Sequence, residues 1–184
     1  MARRKTKSIM VGNIGIGSDY PISIQSMLNT NNGDVDAAIK QTIALKEAGC
    51  DIVRLAVTDE KSLDVIRELK KNVDIPLVAD IQFDYKMAIA SIENGIDKVR
   101  LNPGNIGNER RVKEVIAAAK ERNIPIRVGV NTGSISLDIA KKYGRYSAEG
   151  LVYEATRHIE ILERNNFDDI AISLKASDVW LKER

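Results

Sequence analysis

One pattern recurs along this chain and carries an arginine at the same depth each time. Glu47-Ala-Gly-Cys-Asp-Ile-Val-Arg-Leu55 returns as Glu93-Asn-Gly-Ile-Asp-Lys-Val-Arg-Leu101, and more loosely as Lys120-Glu-Arg-Asn-Ile-Pro-Ile-Arg-Val128. Each copy reads as a helix end, a tight turn and an apolar strand. Repeated units of this kind predict a parallel sheet with right-handed crossovers. A guanidinium inside an apolar strand needs an anion or a carboxylate opposite it. Arg54, Arg100 and Arg127, aimed alike, therefore describe an anion pocket.

The spacing of apolar residues predicts six main strands, over 22–27, 51–57, 76–81, 98–102, 125–131 and 169–177. Between them run helices that follow Asp34, Asp59, Asp84, Asn108 and Ser147, each a good N-cap type. Gly49 and Gly95 stand where the first and third helices stop. The long helix after Ser147 is expected to face inward with Val152, Ala155, Ile159 and Leu162. A sixth helix begins at Val179-Trp180-Leu181. Ahead of the sheet, residues 8–17 alternate around Gly12-Asn13 and read as a hairpin placed to plug the bottom of a barrel.

Strand phase separates the two architectures that such units build, an open doubly wound sheet and a (β/α)8 barrel. One parity is apolar: Val53 and Leu55, Val99 and Leu101, Ile126 and Val128, Ile172 and Leu174. These residues are expected to pack under helices. The other parity turns polar toward the strand ends, with Gln25, Arg54, Asp80, Gln82, Arg100, Asn102, Arg127, Asn131, Ser173, Lys175 and Ser177. Helices on both faces would leave that set unsolvated, whereas a barrel mouth solvates it and builds sites from it. The fold class is therefore α/β, a TIM-type (β/α)8 barrel truncated after about six units, since a full barrel takes about 250 residues. The expected organisation is an arm over 1–20 and a partial barrel over 21–184, the N-terminal part of a longer protein.

Composition narrows the function. A net charge of +2 and 4% aromatic residues give no footing for nucleic acid. No run is long and apolar enough for a membrane span, and the basic start Met1-Ala-Arg-Arg-Lys5 precedes no signal-like apolar core, so a cytoplasmic protein is expected. Cys50 is the single cysteine, which excludes an internal disulfide and a thiolate-held cluster within one chain. Its place in the repeat, opposite Ile96, makes it a small buried apolar residue. No metal site is expected in this chain.

Three arginines and Lys175 share a phase with Asp80 as the one carboxylate. Forked guanidinia and a mobile ammonium suit phosphate or diphosphate. Asn102-Pro-Gly-Asn-Ile-Gly107 and Asn131-Thr-Gly-Ser134 each read as an anion-binding loop or as an ordinary turn. Asp80 suits a substrate hydroxyl or the role of a counter-ion, and Gln82 offers an amide that cannot shuttle protons. His158, on the long fifth helix, reads as a helix-surface residue. The Lys/Glu-rich stretches 60–71 and 109–122 read as solvated helix faces.

At these residues the chain resembles the 4-hydroxy-3-methylbut-2-en-1-yl diphosphate synthase family. The matching stretches are Ile24-Gln-Ser-Met27 with Asn29-Thr30, Ala48-Gly-Cys-Asp-Ile-Val-Arg54 and Ile75-Pro-Leu-Val-Ala-Asp80. They continue with Asp97-Lys-Val-Arg-Leu-Asn-Pro-Gly-Asn-Ile-Gly107, Ile126-Arg-Val-Gly-Val-Asn131 and Ile172-Ser-Leu-Lys-Ala-Ser-Asp178. The resemblance implies a substrate-binding barrel and a C-terminal domain that holds a [4Fe–4S] cluster. It implies reductive ring opening and dehydroxylation of 2-C-methyl-D-erythritol 2,4-cyclodiphosphate in the methylerythritol phosphate route to isoprenoids, with electrons from flavodoxin or ferredoxin. It carries diphosphate contacts onto Arg54, Arg100, Arg127, Asn131 and Lys175, and sets Asp80, Gln82 and Asn102 beside the substrate. A homodimer is implied for the full-length enzyme.

Two departures accompany the resemblance. Gln82 stands where the family usually has a histidine, so a chargeable donor is replaced by a neutral one. The last barrel strands, the acidic catalytic residue and the cluster cysteines are not in this sequence, so the chain alone is expected to bind and not to turn over. Other classes fit parts of the pattern: a Schiff-base aldolase acting on a sugar phosphate through Lys175, a pterin-binding barrel, and a non-catalytic phosphate-binding fragment.

Overall fold

The computed structural model describes residues 4–102, 105–144 and 146–178. A hairpin of β1 (Ile9–Val11) and β2 (Ile14–Ile16) precedes β3 (Gln25–Met27), α1 (Val35–Glu47), β4 (Ile52–Ala56) and α2 (Glu60–Asn72). Then follow β5 (Leu77–Asp80), α3 (Tyr85–Glu93), β6 (Lys98–Leu101), α4 (Glu109–Glu121) and β7 (Ile126–Asn131). A 3-10 turn (Thr132–Ser134), α5 (Leu137–Tyr143), α6 (Ala148–Glu163) and β8 (Ile170–Lys175) complete the described elements. The beginning of a helix expected at Val179 lies outside the described residues.

Strands β3 to β8 pair in sequence order, all in parallel, as a curled half-barrel of the TIM type with helices on its outer face. The local reasons are those of the repeat. Asp34, Asp59, Asp84 and Asn108 each accept a backbone N–H of the first turn they cap. Gly49 and Gly95 follow the ends of α1 and α3 at φ 90° and 86°, a conformation that lets the chain reverse at once into β4 and β6.

The main core lies between the outer sheet face and the helices. Val53, Leu55, Leu77, Val99, Ile126 and Val128 meet Ile66, Leu69, Ile92, Ile116 and Leu162 there. Full burial of such a side chain contributes about 1.5–3 kcal/mol. A second, smaller cluster joins Val11 of the hairpin to Ile52 and Val78 on the inner face, with Ile14 and Ile16 against it. The hairpin thus closes the lower end of the barrel interior, as its alternation suggested.

Several expectations need correction or completion. β3 is shorter than the apolar run 22–27, because only Gln25–Met27 pair with β4, and Ile22 and Ile24 are exposed. Ile172 and Leu174 share the parity of buried Val128 and Val130 but are 57% and 42% exposed. Among the described residues β8 is the last strand of the sheet and has a strand neighbour on one side only. The inward stripe of α6 is Leu151, Glu154, Ala155, His158 and Leu162, and Val152 is exposed. His158 is therefore a buried residue. The stretch after Asn131 forms a 3-10 turn and then α5, a helix too short to stand out in the sequence.

Candidate anion site

Register places the arginines on one face of the sheet. Arg54 pairs with Val78, which pairs with Lys98; one step higher, Asp80, Arg100 and Arg127 form a row across β5, β6 and β7. Paired residues in parallel strands face the same way, so all of these belong to the barrel interior. Asn131 and Lys175 pair at the top of the same face, both exposed. Asn102 follows β6 and is buried, and Gln82 follows β5 and is exposed. Pro103 and Gly104 of the glycine-bearing loop lie outside the described residues.

Asp80 organises the layer. One carboxylate oxygen lies 3.3 Å from Arg54 Nη2 and the other 3.1 Å from Arg100 Nη1. Asp80 is buried, while the two arginine side chains keep 25% and 19% exposure. Arg100 also donates to the Gly129 carbonyl at 3.5 Å, and Arg127 donates to Ser173 Oγ at 2.6 Å. Gly129 has room for that approach only because it lacks a side chain: a Cβ there would lie 2.8 Å from Arg100 Nε. Arg54 Nε is buried without a partner among the described residues.

One carboxylate between three guanidinia leaves the interior cationic. Burial, then the charges of Arg54 and Arg100, hold the Arg127 guanidinium below its ordinary value, and Asp80 opposes them. Lys98 is only 3% exposed, and it is a residue that the sequence reading passed over. Burial, then Arg127 and Arg54, push its ammonium down to about 8. The signal was present: Lys98 stands two residues before Arg100 in the same strand and so shares its face.

A concavity of about 520 Å³ lies elsewhere, outside the barrel against α4 and α6. Glu154 and His158 line it as a buried pair, Nε2 to Oε1 at 2.8 Å, and Ser136 Oγ donates to the other oxygen of Glu154 at 2.7 Å. Burial holds the His158 imidazole below its ordinary value, against the pull of Glu154. The pair serves to seat α6, and the barrel arginines do not reach it.

The GcpE TIM-barrel domain model matches residues 6–182. This chain belongs to the GcpE TIM-barrel domain family. It is 56% identical over 177 residues to a protein of Ruminiclostridium cellulolyticum named 4-hydroxy-3-methylbut-2-en-1-yl diphosphate synthase (flavodoxin), covering 96% of this chain and 50% of that one. Proteins of the same name from Geobacillus thermodenitrificans and Fusobacterium nucleatum are 54% and 52% identical, over 97% and 96% of this chain and 48% and 50% of theirs. The chain thus spans about half the length of the curated relatives it matches.

Solved structures give the fold. The dihydropteroate synthases of Yersinia pestis and Vibrio fischeri superpose with TM-scores of 0.65 and 0.66. They do so at 13% and 14% identity, covering 90% and 91% of this chain and 61% and 66% of theirs. Such likeness extends to the barrel alone. Among the described residues, no helix is long and apolar enough to cross a membrane, and no three His, Cys, Asp or Glu side chains group to hold a metal ion.

Proposed function

We propose that this GcpE barrel is the diphosphate-binding half of a synthase that reductively converts 2-C-methyl-D-erythritol 2,4-cyclodiphosphate to 4-hydroxy-3-methylbut-2-enyl diphosphate. The observation that carries the reading is the interior layer in which Asp80 bridges Arg54 and Arg100 while Arg127 stands beside them in register. Two phosphoryl groups bring the anionic charge that such a layer lacks. Arg54, Arg100 and Arg127 bind the phosphoryl oxygens from below, and Lys175, Asn131 and Asn102 close around them at the strand ends. Asp80 holds two guanidinia at fixed spacing and offers its remaining lone pairs to a substrate hydroxyl. Gln82 donates an uncharged hydrogen bond at the mouth.

The reducing half of the chemistry belongs to a second domain and to flavodoxin or ferredoxin in a cytoplasmic, homodimeric enzyme. The described residues do not fit an iron–sulfur cluster. Cys50 is buried with Sγ 3.1 Å from the Ile52 carbonyl, and no other cysteine is in the sequence. Residues 1–20 act as the arm that closes the barrel floor, and 21–184 as the substrate barrel. Relatives that share one enzyme name at over half identity weigh against the aldolase and pterin readings.

Isothermal titration of the 184-residue chain with the cyclodiphosphate tests this. Binding that weakens as salt is raised, and at least tenfold loss in Arg100→Met, is expected. Absence of binding, or an Arg100→Met variant that binds as well as the parent chain, would sink the proposal.

A further inference from the structure

Lys98 is a buried cation with no ion pair to any described carboxylate. It lies one step below Arg100 on β6 and in the same lateral row as Arg54, with Val78 between. Two residues of parallel strand rise about 6.6 Å, roughly what a lysine stem spans, so its ammonium reaches the guanidinium layer from beneath. At 3% exposure it is among the most buried charged groups described.

The charged groups that face it are Arg54 from β4, Asp80 from β5, Arg100 from β6 and Arg127 from β7. Asp80 is the only carboxylate of these, and both its oxygens are engaged by Arg54 and Arg100. The floor around Val78 is apolar, made by Val11, Ile52, Ile14 and Ile16. A buried ammonium below three guanidinia with no carboxylate of its own is an unstable arrangement unless an anion arrives above it.

We infer that Lys98 is a positioning residue beneath the anion site, and that a diphosphate bound by the arginines draws a proton onto it. The inference rests on the diphosphate reading above. It goes further in assigning a buried lysine that the arginine layer does not require, and in coupling binding to proton uptake. The balance is simple: one proton passes from solvent to the Lys98 amine and no covalent bond to the ligand forms. Cation and anion then neutralise each other in a site from which water is largely excluded. Burial and the neighbouring guanidinia push the Lys98 ammonium down to about 8, so without the anion it is partly neutral under mildly alkaline conditions and with it largely charged at pH 8.

Inorganic pyrophosphate is the probe, and Lys98→Met is the variant, chosen to keep the volume of the side chain and remove the charge. Affinity at pH 7 is expected to fall about tenfold in the variant, and the difference to shrink toward nothing by about pH 9.5, where both proteins carry a neutral side chain. Titration in buffers of different ionisation enthalpy at pH 8 should show the parent chain taking up about 0.4 proton more than the variant. Subtracting the two removes the ligand's own titration. Nuclear magnetic resonance of the Lys98 ε-methylene gives a readout that needs no variant: its midpoint must rise by about one pH unit when pyrophosphate is added.

Equal affinities and equal proton counts, with Arg100→Met still failing to bind, overturn the role of Lys98 and leave the arginine site standing. An unmoved Lys98 midpoint in the presence of bound pyrophosphate overturns it as well. A parent chain that does not bind pyrophosphate removes both readings together.

Discussion

Asp80 shows how one side chain sets the properties of its neighbours. Each of its oxygens meets a different arginine, so the guanidinia from the two strands that flank β5 are held on either side of one carboxylate. In Asp80→Asn the shape survives and the charge does not. Removing one member of a buried ionic cluster is costly, but both arginines keep some contact with water, so the expected loss is about 2 kcal/mol. Urea unfolding at pH 7 checks it. The same variant should bind pyrophosphate a few-fold more tightly, since three guanidinia no longer share their charge with a carboxylate. Unchanged stability together with weaker binding would contradict this role. Gly129 makes the complementary point. Gly129→Ala should displace Arg100, cost about 1 kcal/mol through overpacking, and lower pyrophosphate affinity far more than that stability loss explains. A variant that binds normally would mean Arg100 has another way in.

At the scale of the element, α6 carries a buried polar pair where an apolar stripe was expected. Leu151, Ala155 and Leu162 anchor the helix, and Glu154 and His158 fill the turn between them. The pair is tolerable because Glu154 also accepts from Ser136, at the start of α5. Burial holds His158 below its ordinary value, so the folded chain resists the proton that the unfolded chain accepts. The sign follows from linkage: below about pH 6.5 the unfolded state binds more protons, and stability falls as pH drops toward the folded midpoint. His158→Gln keeps a donor for Glu154 and does not titrate. Thermal melts should give similar stability at pH 7.5 and a shallower loss for the variant between pH 6.5 and 5. Parallel curves would show that His158 charges freely in the folded state.

At the scale of the molecule, the sheet has two ends. Among the described residues β3 pairs only with β4, and β8 only with β7. Ile172 and Leu174 lie exposed on β8, on the parity that is buried in every interior strand. An apolar edge of that kind is a template for association. Sedimentation velocity over a concentration series should find the 184-residue chain associating, and Ile172→Lys with Leu174→Lys should keep it monomeric to several-fold higher concentration. Circular dichroism of the double variant should be unaltered, since neither side chain belongs to the core. Identical behaviour of the two proteins would show that the β8 edge is inert.

Much of this was legible in the residues themselves. The period-two and period-3.6 patterns located the six barrel strands and five of the six α-helices among the described residues, because burial against one face imposes those periods whatever the neighbours are. The arginines announced a common face because strand parity is a local property, and the repeat set them at one depth. Capping residues marked the helix starts for the same reason: they satisfy orphan N–H groups of their own first turn. What needed the tertiary structure were matters of partnership. Whether Asp80 serves one arginine or two depends on the stagger of β4, β5 and β6. Whether His158 faces water depends on Glu154 and on Ser136, a residue of a different element. The apolar parity of β8 looks in the sequence like that of the interior strands, and only the sheet order shows that this strand has a neighbour on one side and none described on the other. Lys98 lay between the two kinds of knowledge. Its face could be read from Arg100, but its burial came from the apolar floor that a distant hairpin builds beneath it.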